Sequence, residues 1–236
     1  MFKFSTSLFC LFFMTLSMYG QVSTEDSDKK KDSIYPTPYG IRLGIDLSKP
    51  VKASLDQSYS GFEVVADYRL SKRFFLAAEF GYEEENTAED FTNSTASGSY
   101  LRLGFNFNSY NNWLDMNNEI FLGFRYGLSF FDQTLNSYTP NVIDPDNGIY
   151  FPSSTINTPI TESLSSHWSE LMVGIKVETF KNTFIGLSLS YKILVSTDEP
   201  NNFKTLYSPG FNRIFESGTG FGFNYTLSYL IPFKKK

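Results

Sequence analysis

The side chain with the widest chemical range is His167, the single histidine of the chain. Ser165, Ser166 and Ser169 stand beside it, and Glu162 and Glu170 lie a few positions away. A histidine, a serine and a carboxylate are the parts of a nucleophilic hydrolase or acyltransferase. They are also what an ordinary loop-to-strand junction contains. Other chemistry is more restricted. The only cysteine is Cys10. One histidine and one cysteine exclude a disulfide within one chain and a metal site built from several such ligands. Asp144-Pro145-Asp146-Asn147-Gly148 has the residue types of a calcium loop but neither the spacing nor the distal glutamate, and reads as a polar turn. The acidic cluster Glu83, Glu84, Glu85, Glu89 and Asp90 reads as a solvated loop, with divalent-cation binding as the alternative. No metal or cofactor is expected. The net charge of −5 and pI near 5.0 give no reason to expect a nucleic-acid partner.

The elements that must hold these residues are strands. From Gly218 to Phe233 the odd positions carry Phe221, Phe223, Tyr225, Leu227, Tyr229, Ile231 and Phe233, and the positions between carry small or polar groups such as Gly222, Asn224 and Ser228. That is period-2 alternation over a longer run than the about 5–6 residues of an ordinary strand. It suits the about 9–11 residues of a strand crossing a membrane. The same pattern recurs at Gly40–Leu47, Gly61–Arg69, Phe74–Tyr82, Gly98–Phe107, Glu119–Phe130, His167–Thr179 and Thr183–Lys192. Tight turns are expected at 70–73 and 180–182, and a short connection through Trp113. Long loops are expected at 48–60, 83–97, 131–166 and 196–217. The alternating loop lengths predict an all-β fold, an eight-stranded antiparallel up-and-down transmembrane β-barrel with four longer external loops and short periplasmic turns.

The charges decide which face is inside. The polar register holds Arg42, Arg69, Arg102, Arg125, Lys176 and Lys192 against Asp46, Glu63, Asp67, Glu79, Glu170 and Glu178, with Glu119 at a turn end. A lipocalin-like soluble barrel would turn this register to water, and its Phe and Tyr face would be too bulky for a small cavity. A narrow eight-stranded membrane barrel would bury it as a paired network. The expected lumen network is therefore Arg42, Asp46, Glu63, Asp67, Glu79, Arg102, Arg125, Glu170, Lys176, Glu178 and Lys192. Tyr68, Tyr82, Tyr126, Tyr191, Tyr229 and Phe233 are candidates for aromatic girdles.

Residues 1–20 read as a secretory signal peptide: Lys3, then the apolar run Leu8–Met14, then Ser17 and Gly20 before a cut at Gln21. Residues 21–38 read as a flexible periplasmic segment, and residues 39–236 as the barrel. Tyr229 and Phe233 near the end of the last strand are the expected assembly signal, although Pro232 and Lys234–Lys236 depart from the usual aromatic terminus.

Tyr39–Val51 (YGIRLGIDLSKPV), Gly61–Ala78 (GFEVVADYRLSKRFFLAA), Asn112–Asp115 (NWLD), Gln133–Tyr138 (QTLNSY) and Gly222–Pro232 (GFNYTLSYLIP) together resemble an uncharacterised Bacteroidota family, a domain of unknown function with outer-membrane β-barrel character. The resemblance implies the fold and the location and brings no activity. The function expected is that of a small, non-enzymatic outer-membrane barrel without an open channel. Its role would be structural, or binding of an external ligand through loop 131–166. Its expected partners are outer-membrane lipids, lipopolysaccharide and the barrel assembly machinery. A lipid-modifying barrel enzyme using His167 is the alternative, and a soluble secreted ligand-binding barrel a third.

Overall fold

The computed structural model describes residues 38–112, 116–144, 146, 148–150, 154–201 and 203–235. The expected signal peptide, the segment 21–37 and Trp113 lie outside these. The described chain is built from strands: β1 (Pro38–Asp46), β2 (Tyr59–Arg69), β3 (Phe74–Ala88), β4 (Thr92–Asn108), β5 (Glu119–Tyr138), β6 (Val142–Asp144), β7 (Gly148–Tyr150), β8 (Ile160–Phe180), β9 (Thr183–Thr197), β10 (Tyr207–Ser208), β11 (Asn212–Arg213) and β12 (Thr219–Lys235). A helix, α1 (Ser48–Leu55), follows β1.

Eight of the strands form one antiparallel sheet in the order β1-β12-β9-β8-β5-β4-β3-β2, and β2 returns to β1 to close the ring. Closure leaves no unpaired edge. The seam joins the chain ends: Ile41 faces Ile231, Leu43 faces Tyr229 and Ile45 faces Leu227. A bulge between Tyr39 and Gly40 accommodates Pro232, which has no N–H to give to the ladder. Strand β12 continues past it to Lys235, opposite Pro38.

One end of the ring has tight connections. Leu70 N–H and Ser71 N–H both reach the Phe74 carbonyl, and Phe74 N–H donates to Ser71 Oγ. At the β8–β9 turn Asn182 sits at φ 63°, a left-handed conformation that asparagine tolerates better than most residues. This turn end also carries residues 109–112 and 116–118, part of a connection longer than a tight turn. The opposite, loop end carries residues 47–58, 89–91, 139–159 and 198–218.

Three expectations need correction here. The loops expected at 83–97 and 131–166 are mostly strand, because β3, β4, β5 and β8 keep alternating beyond the stretch where their outward residues are apolar. Strands β5 and β8 reach 20 and 21 residues. The β3–β4 connection shrinks to 89–91, so the loop end does not carry four long loops. Last, loop 48–60 contains α1, where Pro50 falls in the first turn and costs no hydrogen bond.

The alternation sorts side chains as follows. Outward residues such as Leu76, Leu122, Leu171 and Leu189 are half or more exposed, at 50 %, 57 %, 58 % and 58 %. Inward residues include Arg42, Glu63, Arg102, Arg125 and Glu170, all nearly inaccessible, with Phe75, Tyr100, Phe121, Trp168 and Phe184 between them.

Candidate functional site: a charged interior and a closed loop end

The interior charges form two linked groups. In the middle of the ring Arg102 is the hub. Its guanidinium reaches Glu63 at 2.6 Å, Glu79 at 2.9 Å and Glu170 at 3.2 Å. Arg125 shares Glu79 at 3.1 Å and caps the carbonyls of Phe105 and Phe124. Trp168 Nε1 donates to Glu170 at 2.6 Å. Toward the turn end Arg42 bridges Asp67 at 2.8 Å and Glu119 at 2.9 Å, and Lys176 takes the second oxygen of Asp67. The Arg42 guanidinium also lies over the Phe184 ring, 4.6 Å from its centroid. Strand register causes these meetings: Glu79 faces Arg102 across β3–β4, and Arg125 faces Glu170 across β5–β8. Buried charges persist only when paired, and removing one partner strands the others.

Between the groups lies a cavity of about 30 Å³ lined by Asp67, Glu79, Asn106, Arg125, Lys176 and Asn224, among others. Neither amide atom of Asn106 has a protein partner. The space suits about one or two waters.

Toward the loop end the interior is shut by the chain itself. Residues 205–211 of the β9–β12 connection turn inward, and Phe211 is fully buried against Tyr100 and Trp168. Gly210 sits at φ +79°, and a Cβ there would stand 2.6 Å from the Tyr100 ring, so both the backbone and the packing demand glycine. Glu83 is the latch. One oxygen accepts from Tyr207 Oη (2.8 Å) and Gly210 N–H (2.9 Å). The other accepts from Lys49 Nζ of α1 (2.5 Å) and Tyr59 Oη (3.1 Å). Lys192 Nζ donates to the Gly210 carbonyl at 2.6 Å. Burial opposes the charge on Lys49, yet Glu83 outweighs it and raises the lysine above its ordinary range. Burial, reinforced by Glu83, likewise pushes the Tyr207 hydroxyl well above the usual tyrosine range.

Outside this plug is an open cleft of about 680 Å³ between α1, β3 and the β10–β11 hairpin. Lys52 pairs with Glu85 at 3.0 Å and Arg213 with Glu89 at 2.6 Å along its walls.

The domain of unknown function DUF6048 matches this chain over residues 1–236. The chain belongs to that family. No curated protein matches it.

In this DUF6048 chain the structure brings together Arg42, Glu63, Asp67, Glu79, Arg102, Arg125, Glu170 and Lys176. Lys192 stands at the edge of the group, 3.9 Å from Glu170. Two of the expected network residues are elsewhere. Among the described residues Asp46 pairs with no cation; it accepts from Ser48, from Asn224 Nδ2 at 2.6 Å and from Tyr225 N–H. Glu178 lies at the turn end, where it accepts from Asn117 Nδ2 and Asn182 N–H, because the register slips between Glu178 and Phe180. Glu119 is fully buried on Arg42, although its place at a strand start suggested a turn. Glu83, expected in a solvated loop, is fully buried. Its inward parity, shared with Glu79 and Gly81, was the signal for a buried position. The neighbouring Glu85 and Glu89 are engaged by Lys52 and Arg213. Among the described residues no group of three or more His, Cys, Asp or Glu side chains is arranged to hold a metal. Asp144 and Gly148 pair across the small β6–β7 hairpin.

His167 faces outward, and its Nδ1 meets Tyr126 Oη. Two of the flanking serines are engaged elsewhere: Ser165 Oγ donates to Asp198, and Ser166 faces inward onto Ser208. Glu170 lies on the other face of the sheet, and Glu162 accepts from Asn201. Ser169 shares the outer face of β8 with His167, and the carboxylate bonded to Ser165 is Asp198 rather than Glu162 or Glu170. Tyr229 and Phe233 point outward from β12 at 52 % and 67 % exposure.

Proposed function

We propose that this DUF6048 protein is an outer-membrane β-barrel of Bacteroidota, exported by its N-terminal signal, that conducts no ions and serves as a structural or ligand-binding element. One observation carries the reading: the ring exposes a continuous apolar belt and buries its charges. Water as the outer solvent would favour the opposite arrangement, whereas lipid favours this one. Outward aromatics such as Tyr68, Tyr126, Tyr191 and Tyr229 suit the two girdles. The filled interior, the 30 Å³ cavity and the plug support a closed barrel. Lipids, lipopolysaccharide and the assembly machinery are the partners this reading requires. Ligand binding is assigned to the loop-end cleft, whose volume lies in the range of small-molecule sites. The expected binding loop 131–166 is shortened, because β5 and β8 extend into it.

The test is extraction from membranes and mobility on gels. A barrel of this kind needs detergent and runs faster unboiled than boiled. A protein released by high salt or carbonate alone ends the proposal. Planar bilayers should show no steady conductance; a stable large conductance refutes the closed state.

A further inference from the structure

The turn end pairs cations with exposed aromatics. Lys72 and Arg73 precede Phe74 in the β2–β3 turn, and Lys181 follows Phe180 in the β8–β9 turn. Phe74 and Phe180 are 47 % and 77 % exposed, and the three cations are exposed beside them. The seam repeats the sequence pattern: Phe233 is followed by Lys234, which the register sets opposite Tyr39 at this same end. None of Lys72, Arg73 and Lys181 forms an ion pair with a described carboxylate. Among the described residues the Arg73 guanidinium has one polar side-chain contact, a long one of 3.4 Å to the Asn111 amide oxygen. The described acids at this end are already engaged, Glu119 by Arg42 and Glu178 by Asn117 and the Asn182 N–H. The loop end differs, with exposed Glu84, Asp90, Asp132, Asp198, Glu199 and Glu216.

Aromatic rings favour the boundary between acyl chains and headgroups, and a cation one residue further on reaches the phosphate layer. Unpaired cations there gain from negative lipid and lose that gain as salt screens it. We propose that the turn end is a basic–aromatic collar that binds anionic phospholipid headgroups in the leaflet it meets. This rests on the membrane reading above. Phosphatidylglycerol is a suitable probe because it has a single negative charge and no competing amine.

The full chain is refolded into vesicles of phosphatidylcholine alone or mixed with phosphatidylglycerol, then extracted in a neutral detergent, and bound lipids are counted by native mass spectrometry. The expected result is a preference for phosphatidylglycerol of about tenfold, reduced by high salt. In the triple variant Lys72→Gln/Arg73→Gln/Lys181→Gln that preference disappears, while insertion into phosphatidylcholine and heat-modifiable mobility stay as in the parent. A parent protein that inserts but shows no preference, or a variant that keeps it, overturns the collar alone. A protein that inserts into neither vesicle and stays soluble overturns the membrane reading and the collar with it.

Discussion

Strands β5 and β8 carry two opposite patterns of face polarity without a break in their hydrogen bonding. In their lower part the outward residues are apolar: Leu122, Leu128 and Phe130 on β5, and Leu171, Val173 and Ile175 on β8. The inward residues there include Arg125, Ser129 and Glu170. Past Phe130 the polarity of the faces reverses. Asp132 and Thr134 point outward and bond Ser163 and Thr161 across the strands. Phe131 and Leu164 point inward and form a small apolar cluster with Ala96 and Tyr207. The upper segment therefore reads like a soluble sheet and the lower like its inverse. A ladder constrains which side a residue takes, while the solvent decides which side is apolar. The change near Phe130 is where the outer solvent would change from lipid to water.

The largest effect should come from the interior of the lower segment. Arg102→Ala leaves Glu63, Glu79 and Glu170 buried together without their shared cation. The cost should be about 3–5 kcal/mol, read as a lower urea midpoint for the protein folded in vesicles. Arg102→Lys should recover part of it, because a point charge cannot serve all three carboxylates. Equal stability of Arg102→Ala and the parent would refute the hub.

The next test sets the two segments against each other on one strand. Val173→Arg places a charge on the apolar outer face of β8 and should destabilise the folded state in vesicles by about 2–4 kcal/mol. Ser163→Arg lies on the outer face of the same strand, beside Asp132, and should change stability by less than about 0.5 kcal/mol. Similar costs at both sites would erase the distinction between the segments.

Much of the ring was legible because parity alone sorts the residues. The alternation of Glu79, Arg102, Arg125 and Glu170 against Phe80, Leu103, Phe124 and Leu171 assigned each to its side. Parity could not show where strands end. Polar outward residues such as Asp132, Thr134, Thr161 and Ser163 resemble a loop when lipid is taken as the only outer solvent. The plug was illegible for another reason. Tyr207-Ser208-Pro209-Gly210-Phe211 has no period, and its place depends on Glu83, which lies far away in sequence. Glu178 keeps the parity of its strand but leaves the network, because the register slips beside it.

The latch gives a test of the upper interior. Glu83→Gln removes the charge that Lys49, Tyr207 and the Gly210 N–H share, and hydrogen bonds to a charged group are worth about 1.5–3 kcal/mol. Faster proteolysis within 198–218 should report the loosened plug, with the ring still folded. The pH dependence follows from Lys49, whose folded value is raised. Its contribution is complete below the unfolded lysine value, about 10.4, and is lost as pH rises through the higher folded value. The plug should therefore stay protected through neutral pH and open in strong alkali, and at the acid end only near pH 2, because against burial Lys49 prevails and holds the Glu83 carboxyl down to about 2. An unchanged cleavage rate in Glu83→Gln would dismiss the latch.

The smallest effect belongs to the exposed tie at the top of β8. Asp198 accepts from the Ser165 N–H at 2.9 Å and from Ser165 Oγ at 2.6 Å. These bonds hold its carboxyl below the ordinary aspartate range. A lowered folded value means that the stabilisation is present above the unfolded value and lost as pH falls through the folded one. The tie is solvated, so it should govern local opening rather than global stability. Asp198→Asn should speed hydrogen exchange at the Ser165 amide several-fold at pH 7, relative to Trp168 in the belt below. The parent should approach the variant only as pH falls below the unfolded aspartate value, about 3.9, toward the lower folded one. If Ser165 and Trp168 respond alike to the substitution, the upper segment does not open independently, and the reversal near Phe130 changes the polarity of the faces without separating motions.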